Sequence, residues 1–155
     1  MFHEMRRNDR ALTKEETLTV LENGEYGILS TCGEDGYPYG VPVSYAFDGE
    51  KIWFHGAREG HKTENMVYNS RVSFCVVGNT EVLPEKFSTR YESVIVFGMV
   101  RQCEGEEKIE GLMKLVGKYS KDFTEKGLKY AQASQAKANV CCIEIGHMTG
   151  KSRRK

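Results

Sequence analysis

The residues best placed to do chemistry lie in one run, Ile52-Trp53-Phe54-His55-Gly56-Ala57-Arg58-Glu59-Gly60-His61-Lys62. An aromatic strand runs there into a glycine-bounded loop, and a His-Lys pair opens a short helix predicted over 62–68. A helix start presents unpaired backbone N–H groups and the positive end of the peptide dipole, which together favour an anion such as a phosphate. Lys62 adds a mobile point charge for that anion, and His61 adds a donor or a second partial charge. A purely structural loop is the competing reading, since glycine-rich turns beside a lysine also occur without a ligand.

Directly upstream, the segment 39–45 reads as a strand lying beside 51–55, joined to it by a tight Asp48-Gly49 turn. Flat aromatic surface with a phosphate site at one end suits a phosphorylated planar cofactor. Read from the residues alone, His55 is a hydrogen-bonded histidine at the end of an apolar strand, and Tyr45 and Trp53 are core or interface aromatics. His3 and His147 lack partners at ligand spacing, so no metal site is predicted.

The elements that must hold these residues follow from pattern. Thr13-Lys14-Glu15-Glu16 is a capping box, and Leu18 and Leu21 continue it as a helix over 13–22, stopped by Asn23-Gly24. Strands are predicted over 26–32, 39–47, 51–55, 71–77, 93–103 and 140–145, with a turn at Gly33-Glu34-Asp35-Gly36. The strand at 71–77 is apolar enough to be buried on both faces, and 78–91, with Pro84, reads as a long loop. Ile109, Leu112, Met113 and Val116 give 106–119 an amphipathic helical stripe for core packing, which Gly111 and Gly117 weaken. The polar, alanine-rich stretch 121–139 stays open between helix and loop. No repeat or linker interrupts the chain, so one domain is expected, mainly β with helices in the α+β sense, built as a β-barrel carrying helices at its ends. No Gly-x-Gly-x-x-Gly follows a first strand, which argues against a dinucleotide-binding α/β domain.

Composition narrows the function. The 155 residues carry no net formal charge, so nothing global attracts nucleic acid or an acidic membrane. The basic end, Lys151-Ser152-Arg153-Arg154-Lys155, reads as a solvated tail. There is neither an apolar run of spanning length nor a signal segment, so a cytoplasmic protein is expected. The five cysteines show no Cys-x-x-Cys spacing and read as reduced, structural thiols; Cys141 and Cys142 should point to opposite faces of one strand.

The ordered set of segments resembles the pyridoxamine 5′-phosphate oxidase-like FMN-binding split-barrel superfamily, and within it the nitroimidazole-resistance (Nim-type) branch. The matching pieces include Met5-Arg6-Arg7-Asn8-Asp9-Arg10, Tyr26-Gly27-Ile28-Leu29-Ser30-Thr31, Val41-Pro42-Val43-Ser44-Tyr45, Phe54-His55-Gly56-Ala57 and Gly60-His61-Lys62. They continue through Asn69-Ser70-Arg71-Val72-Ser73-Phe74, Val82-Leu83-Pro84-Glu85-Lys86-Phe87, Tyr91-Glu92-Ser93-Val94 and Thr149-Gly150-Lys151.

The resemblance implies a six-stranded antiparallel split β-barrel and a homodimer with FMN at the subunit interface. It implies that Val41, Pro42, Val43, Ser44 and Tyr45 run along the flavin, mostly through backbone groups. It places His55 and Gly56 beside the cofactor, His55 as the catalytic candidate, and His61 and Lys62 on the phosphate. The chain departs from the oxidases in having His61 where they carry an arginine, and Ser93 where they carry a glutamine that reaches the flavin from the other subunit. The ending Thr149-Gly150-Lys151 also differs, so oxidation of pyridoxamine phosphate is not implied. Nim-type relatives are associated with reducing nitroimidazoles to amines, so an FMN-dependent oxidoreductase acting on a small molecule is the expected function. A non-catalytic flavin- or haem-binding module is the alternative, since no residue stands out as acid, base or nucleophile.

Overall fold

The structure is a computed structural model that describes residues 1–154. Helix α1 (Lys14–Asn23) begins as the capping box requires: Thr13 Oγ1 accepts the Glu16 N–H at 3.2 Å, and the Glu16 carboxylate accepts the Thr13 N–H at 2.9 Å. Its Val20 and Leu21 enter the main core.

Strands β1 (Gly27–Cys32) and β2 (Pro38–Val43) form an antiparallel hairpin around the predicted turn, where Gly36 takes φ 75°. The strand predicted over 39–47 proves to be two. After Ser44 the chain continues as β3 (Tyr45–Phe47), which pairs not with β1 but with β4 (Lys51–Ala57). Pro38 and Pro42 supply no N–H, so β2 supports a ladder on one side, and the second partner is taken up only beyond Pro42. The β3–β4 turn is the Asp48-Gly49 turn predicted, with Gly49 at φ 94° and the Asp48 carboxylate accepting the N–H groups of Glu50 and Lys51.

After helix α2 (His61–Tyr68) come β5 (Arg71–Leu83) and β6 (Ser88–Cys103). They turn the predicted 78–91 loop into a hairpin arm, its tip a short 3₁₀ turn over Pro84–Lys86. β5 is not buried on both faces: Val72, Phe74 and Val76 point into the core, and the residues between them point out. Helix α3 (Glu106–Tyr119) forms as predicted, and α4 (Thr124–Ser134) settles the open stretch. Gly111 lets α3 lie against the indole, since a Cβ there would stand 2.8 Å from a ring carbon of Trp53.

The last strand, β7 (Ala138–Arg153), runs well past the predicted end at 145. The basic end is therefore not a solvated tail: Lys151 pairs with Ser93, Arg153 pairs with Tyr91, and Ser152 is buried. Lys155 lies outside the described residues.

The seven strands form one antiparallel sheet in the order β2-β1-β5-β6-β7-β4-β3. Its two outermost strands are consecutive in the chain, separated by Ser44 alone, while the last strand made, β7, lies between β6 and β4. Leu21, Leu29, Tyr45, Phe54, Phe74 and Cys141 are among the side chains filling the inside. Each such fully buried large apolar side chain stabilises by about 1.5–3 kcal/mol. A second cluster, with Trp53, Cys103, Leu112 and Cys142, lies under α3 and α4. Cys141 and Cys142 thus go to opposite faces, as strand alternation demands. No helix among the described residues is long and apolar enough to cross a membrane.

Candidate functional site

The sheet opens where its two ends meet. Pairing between β3 and β4 stops at Tyr45 and Phe54, so His55, Gly56 and Ala57 are paired on the β7 side only. β2 likewise is paired only with β1. Two strand edges with unpaired backbone groups therefore diverge from Ser44, and such groups need partners if they are withdrawn from water.

The start of α2 bridges the two lips. On one side the His61 ring stacks on Tyr39 of β2, with centroids 4.0 Å apart and planes at 30°. On the other, the Lys62 ammonium lies over Gly56 of β4, close enough that a Cβ at Gly56 would stand 2.7 Å from Nζ. Gly60 enters the helix at φ 136°, a conformation open to glycine, and the helix has no side-chain cap. Its first N–H groups are thus free of the partner that Thr13 supplies in α1. Among the described residues no carboxylate is paired with Lys62. The cleft therefore carries an unpaired cation, an uncapped helix start and a glycine-lined wall.

Two polar contacts, one buried and one partly buried, hold α2 in this position. Asn65 Nδ2 donates to Thr31 Oγ1 of β1 at 3.0 Å, and Thr63 Oγ1 donates to the Ala57 carbonyl at 3.5 Å. Gly33 makes room for the first, because a Cβ there would stand 2.1 Å from Asn65 Oδ1. Neither Asn65 nor Tyr39 was singled out from sequence as part of the cleft; an amide on the sheet-facing side of a helix was the available signal for Asn65.

His55 sits on the β4 lip with its side chain open to solvent. Partial burial, and then the Lys62 charge, hold its pKa below the usual histidine value, so the neutral ring prevails at pH 7. A neutral imidazole can donate or accept one hydrogen bond at the edge of a ligand.

The other predicted residues divide. Val41, Pro42 and Ser44 are at least partly accessible along the β2 lip, whereas Val43 is buried. Tyr45 is 0 % exposed, and its hydroxyl donates to the Leu21 carbonyl inside the core. The core reading of Tyr45 thus holds, and its carbonyl accepts from the Tyr119 hydroxyl at 3.0 Å. Its backbone N–H donates to the Tyr119 hydroxyl at 2.9 Å. Ser93 does not adjoin the α2 end of the cleft: it lies ten residues along β6 from Cys103, which is level with His55 through Val140.

A second feature is the outer face of β5, β6 and β7. Ile95, Phe97 and Met99 stand 42 %, 40 % and 55 % exposed in one row. Phe2 stacks on Phe97 and His147 across this face, beside a groove of about 670 Å³.

The sequence signature of the pyridoxamine 5′-phosphate oxidase family matches residues 13–152, and the chain belongs to that family. An uncharacterised protein of Rhizobium meliloti is 26 % identical over 151 residues, covering 92 % of this chain and 94 % of that one. A FAD-binding protein from Mesorhizobium loti has a similar structure, with TM-score 0.65 and 25 % identity over 94 % of this chain and 97 % of the other. A Bacteroides thetaiotaomicron protein proposed to confer 5-nitroimidazole antibiotic resistance superposes with TM-score 0.76 over 92 % of this chain and 86 % of its own, at 21 % identity.

Proposed function

We propose that the chain is a single-domain cytoplasmic flavoprotein that binds FMN in the cleft between β2 and β4 and passes electrons to a small molecule, with nitroaromatic compounds as the favoured substrate class. The carrying observation is the start of α2, where Lys62, unpaired with any carboxylate, and an uncapped helix end lie against Gly56. These residues fit a phosphate: the N–H groups and the ammonium supply donors and charge, and the missing Cβ leaves space. The redox chemistry is supplied by the flavin when bound.

The chain's own part is to position and shield. Lys62 and His61 hold the phosphate, the backbone of 41–44 offers hydrogen bonds along the ring system, and His55, neutral at pH 7, stands as proton donor or acceptor at its edge. The reading takes the barrel as a six-stranded split barrel, with β2 and β3 counted as one strand bent at Ser44. The uncovered face around Phe97 supports a homodimer, in which Ser93 of one chain lies near the cofactor of its partner. The second reading is a flavin- or haem-binding module without turnover.

Titration with FMN and with riboflavin tests the proposal. Wild type should bind FMN and turn yellow, and Lys62→Ala should lose about 10- to 150-fold in FMN affinity, the equivalent of a charge-assisted bond of about 1.5–3 kcal/mol. Riboflavin, without a phosphate, should bind both proteins alike. No FMN binding at saturation removes the reading. Nicotinamide-driven conversion of a nitroimidazole to its amine separates an enzyme from a passive module.

A further inference from the structure

The outer face of the sheet holds a flat aromatic surface that the α2 cleft does not use. Phe97 of β6 and His147 of β7 are cross-strand partners, and their rings lie side by side, centroids 6.4 Å apart and planes at 22°. Phe2 lies over both. Its ring stands 4.5 Å from the imidazole at 7°, and 5.4 Å from the Phe97 ring at 20°. Two rings held in register by strand pairing thus form a platform that accepts a third, planar ring in stacked geometry.

That third ring is lightly held. Phe2 is 48 % exposed. Among the described residues, the first main-chain ties between its segment and the sheet come only at Ala11, bridged to Lys151, and at Leu12, whose N–H donates to the Gly150 carbonyl at 2.9 Å. A free planar ring can therefore compete with Phe2 for the platform.

The adjoining groove, about 670 Å³, has the size of a small-molecule pocket. Val72, Met99 and Ile145 line it with apolar surface, and Arg71 and Glu144 are its charged members. The two charges differ in their state. Glu144 accepts from Arg101 at 3.1 Å, whereas Arg71 has no carboxylate partner among the described residues. Arg71 lies opposite Met99, two residues along β6 from Phe97. Its guanidinium offers a planar fork that matches a group with two oxygens.

We propose that this groove binds a planar aromatic molecule bearing a carboxylate or nitro group, with its ring on the Phe97–His147 platform in place of Phe2 and its two oxygens on Arg71. Phe2 is the chain's own stand-in for that ring. The site is complete within one chain and does not rest on flavin binding in the α2 cleft. In the homodimer proposed above, a ligand seated there would lie between the two chains.

The test is an NMR titration of the full chain, without added flavin, with benzoate in one arm and 4-nitroimidazole in the other. Cyclohexanecarboxylate, which keeps the charge of benzoate but has no flat face, is the control. Saturable shifts at the Phe97 and Met99 amides are expected with at least one planar probe, and the stronger arm identifies the oxygen group. Phe2→Ala removes the competing ring and should tighten binding by roughly 2- to 12-fold, whereas a merely structural Phe2 would not tighten it. His147→Ala should weaken binding by a similar factor, and Arg71→Gln on the order of tenfold. Absence of saturable shifts with both planar probes would overturn the proposal. So would a control that binds as tightly as either of them, or a Phe2→Ala variant that binds no more tightly than wild type.

Discussion

The Lys62 ammonium and the Cα of Gly56 are mutually exclusive with any side chain between them, because an added Cβ would come within 2.7 Å of Nζ and 3.3 Å of Cε. The obstructed group is the end of a flexible side chain, so Gly56→Ala should swing the ammonium aside without unfolding the protein. The expected result is a melting temperature close to wild type together with a loss of FMN affinity approaching that of Lys62→Ala. Retention of full affinity would show that the ammonium need not occupy that position.

His55 should make stability depend on pH in a defined direction. Its folded pKa lies below the unfolded value of about 6.5, through partial burial first and Lys62 second. The unfolded chain therefore binds the proton more readily, and stability falls as pH drops through 6.5 toward the folded pKa. Above about 6.5 this contribution is complete. Thermal melts of wild type and His55→Asn across this window should differ in slope, with the variant flatter. Lys62→Ala should raise the His55 pKa in a histidine NMR titration.

Tyr119 latches α3 to the sheet. Its hydroxyl accepts the Tyr45 N–H at 2.9 Å and lies 2.6 Å from the Glu25 carbonyl. Tyr119→Phe leaves that N–H without its partner and should cost about 1–3 kcal/mol. In a chain of this size, each kcal/mol corresponds to roughly 2–4 °C in melting temperature. Calorimetry showing no change would mean that water replaces the phenol.

The outer sheet face should decide the oligomeric state. Phe97→Glu places a charge in the row formed by Ile95, Phe97 and Met99. Sedimentation should report a dimer for wild type and a monomer for the variant, with FMN affinity lost in parallel if the partner completes the site. A monomeric wild type would remove the dimer from the proposal.

What sequence could reveal here was local. The Thr13 capping box, the Asp48-Gly49 turn and the α3 stripe depend on neighbours a few residues apart, and all three appear in the structure. The loop carrying His55, Gly56, His61 and Lys62 was legible for the same reason. What depended on distant partners was not. The break at Ser44 follows from which strands flank the segment 38–47, and the extension of β7 follows from its pairing with Tyr91–Ser93. Gly111 looked like a weakness in α3 because propensity counts only the helix itself; the indole of Trp53 supplies the reason for it. Tyr39 was invisible as a partner of His61 because stacking across the cleft joins two elements far apart in the chain.

The central place of β7 sets the order in which the molecule can be completed during synthesis. Until Ala138–Arg153 has left the ribosome, β6 and β4 each present a bare edge, and the growing chain cannot close its sheet. Removal of β7 would split the sheet in two and leave unpaired edges on β6 and β4 open to aggregation. A stalled or clipped product should therefore be insoluble, whereas loss of the first few residues before α1 should leave the sheet intact.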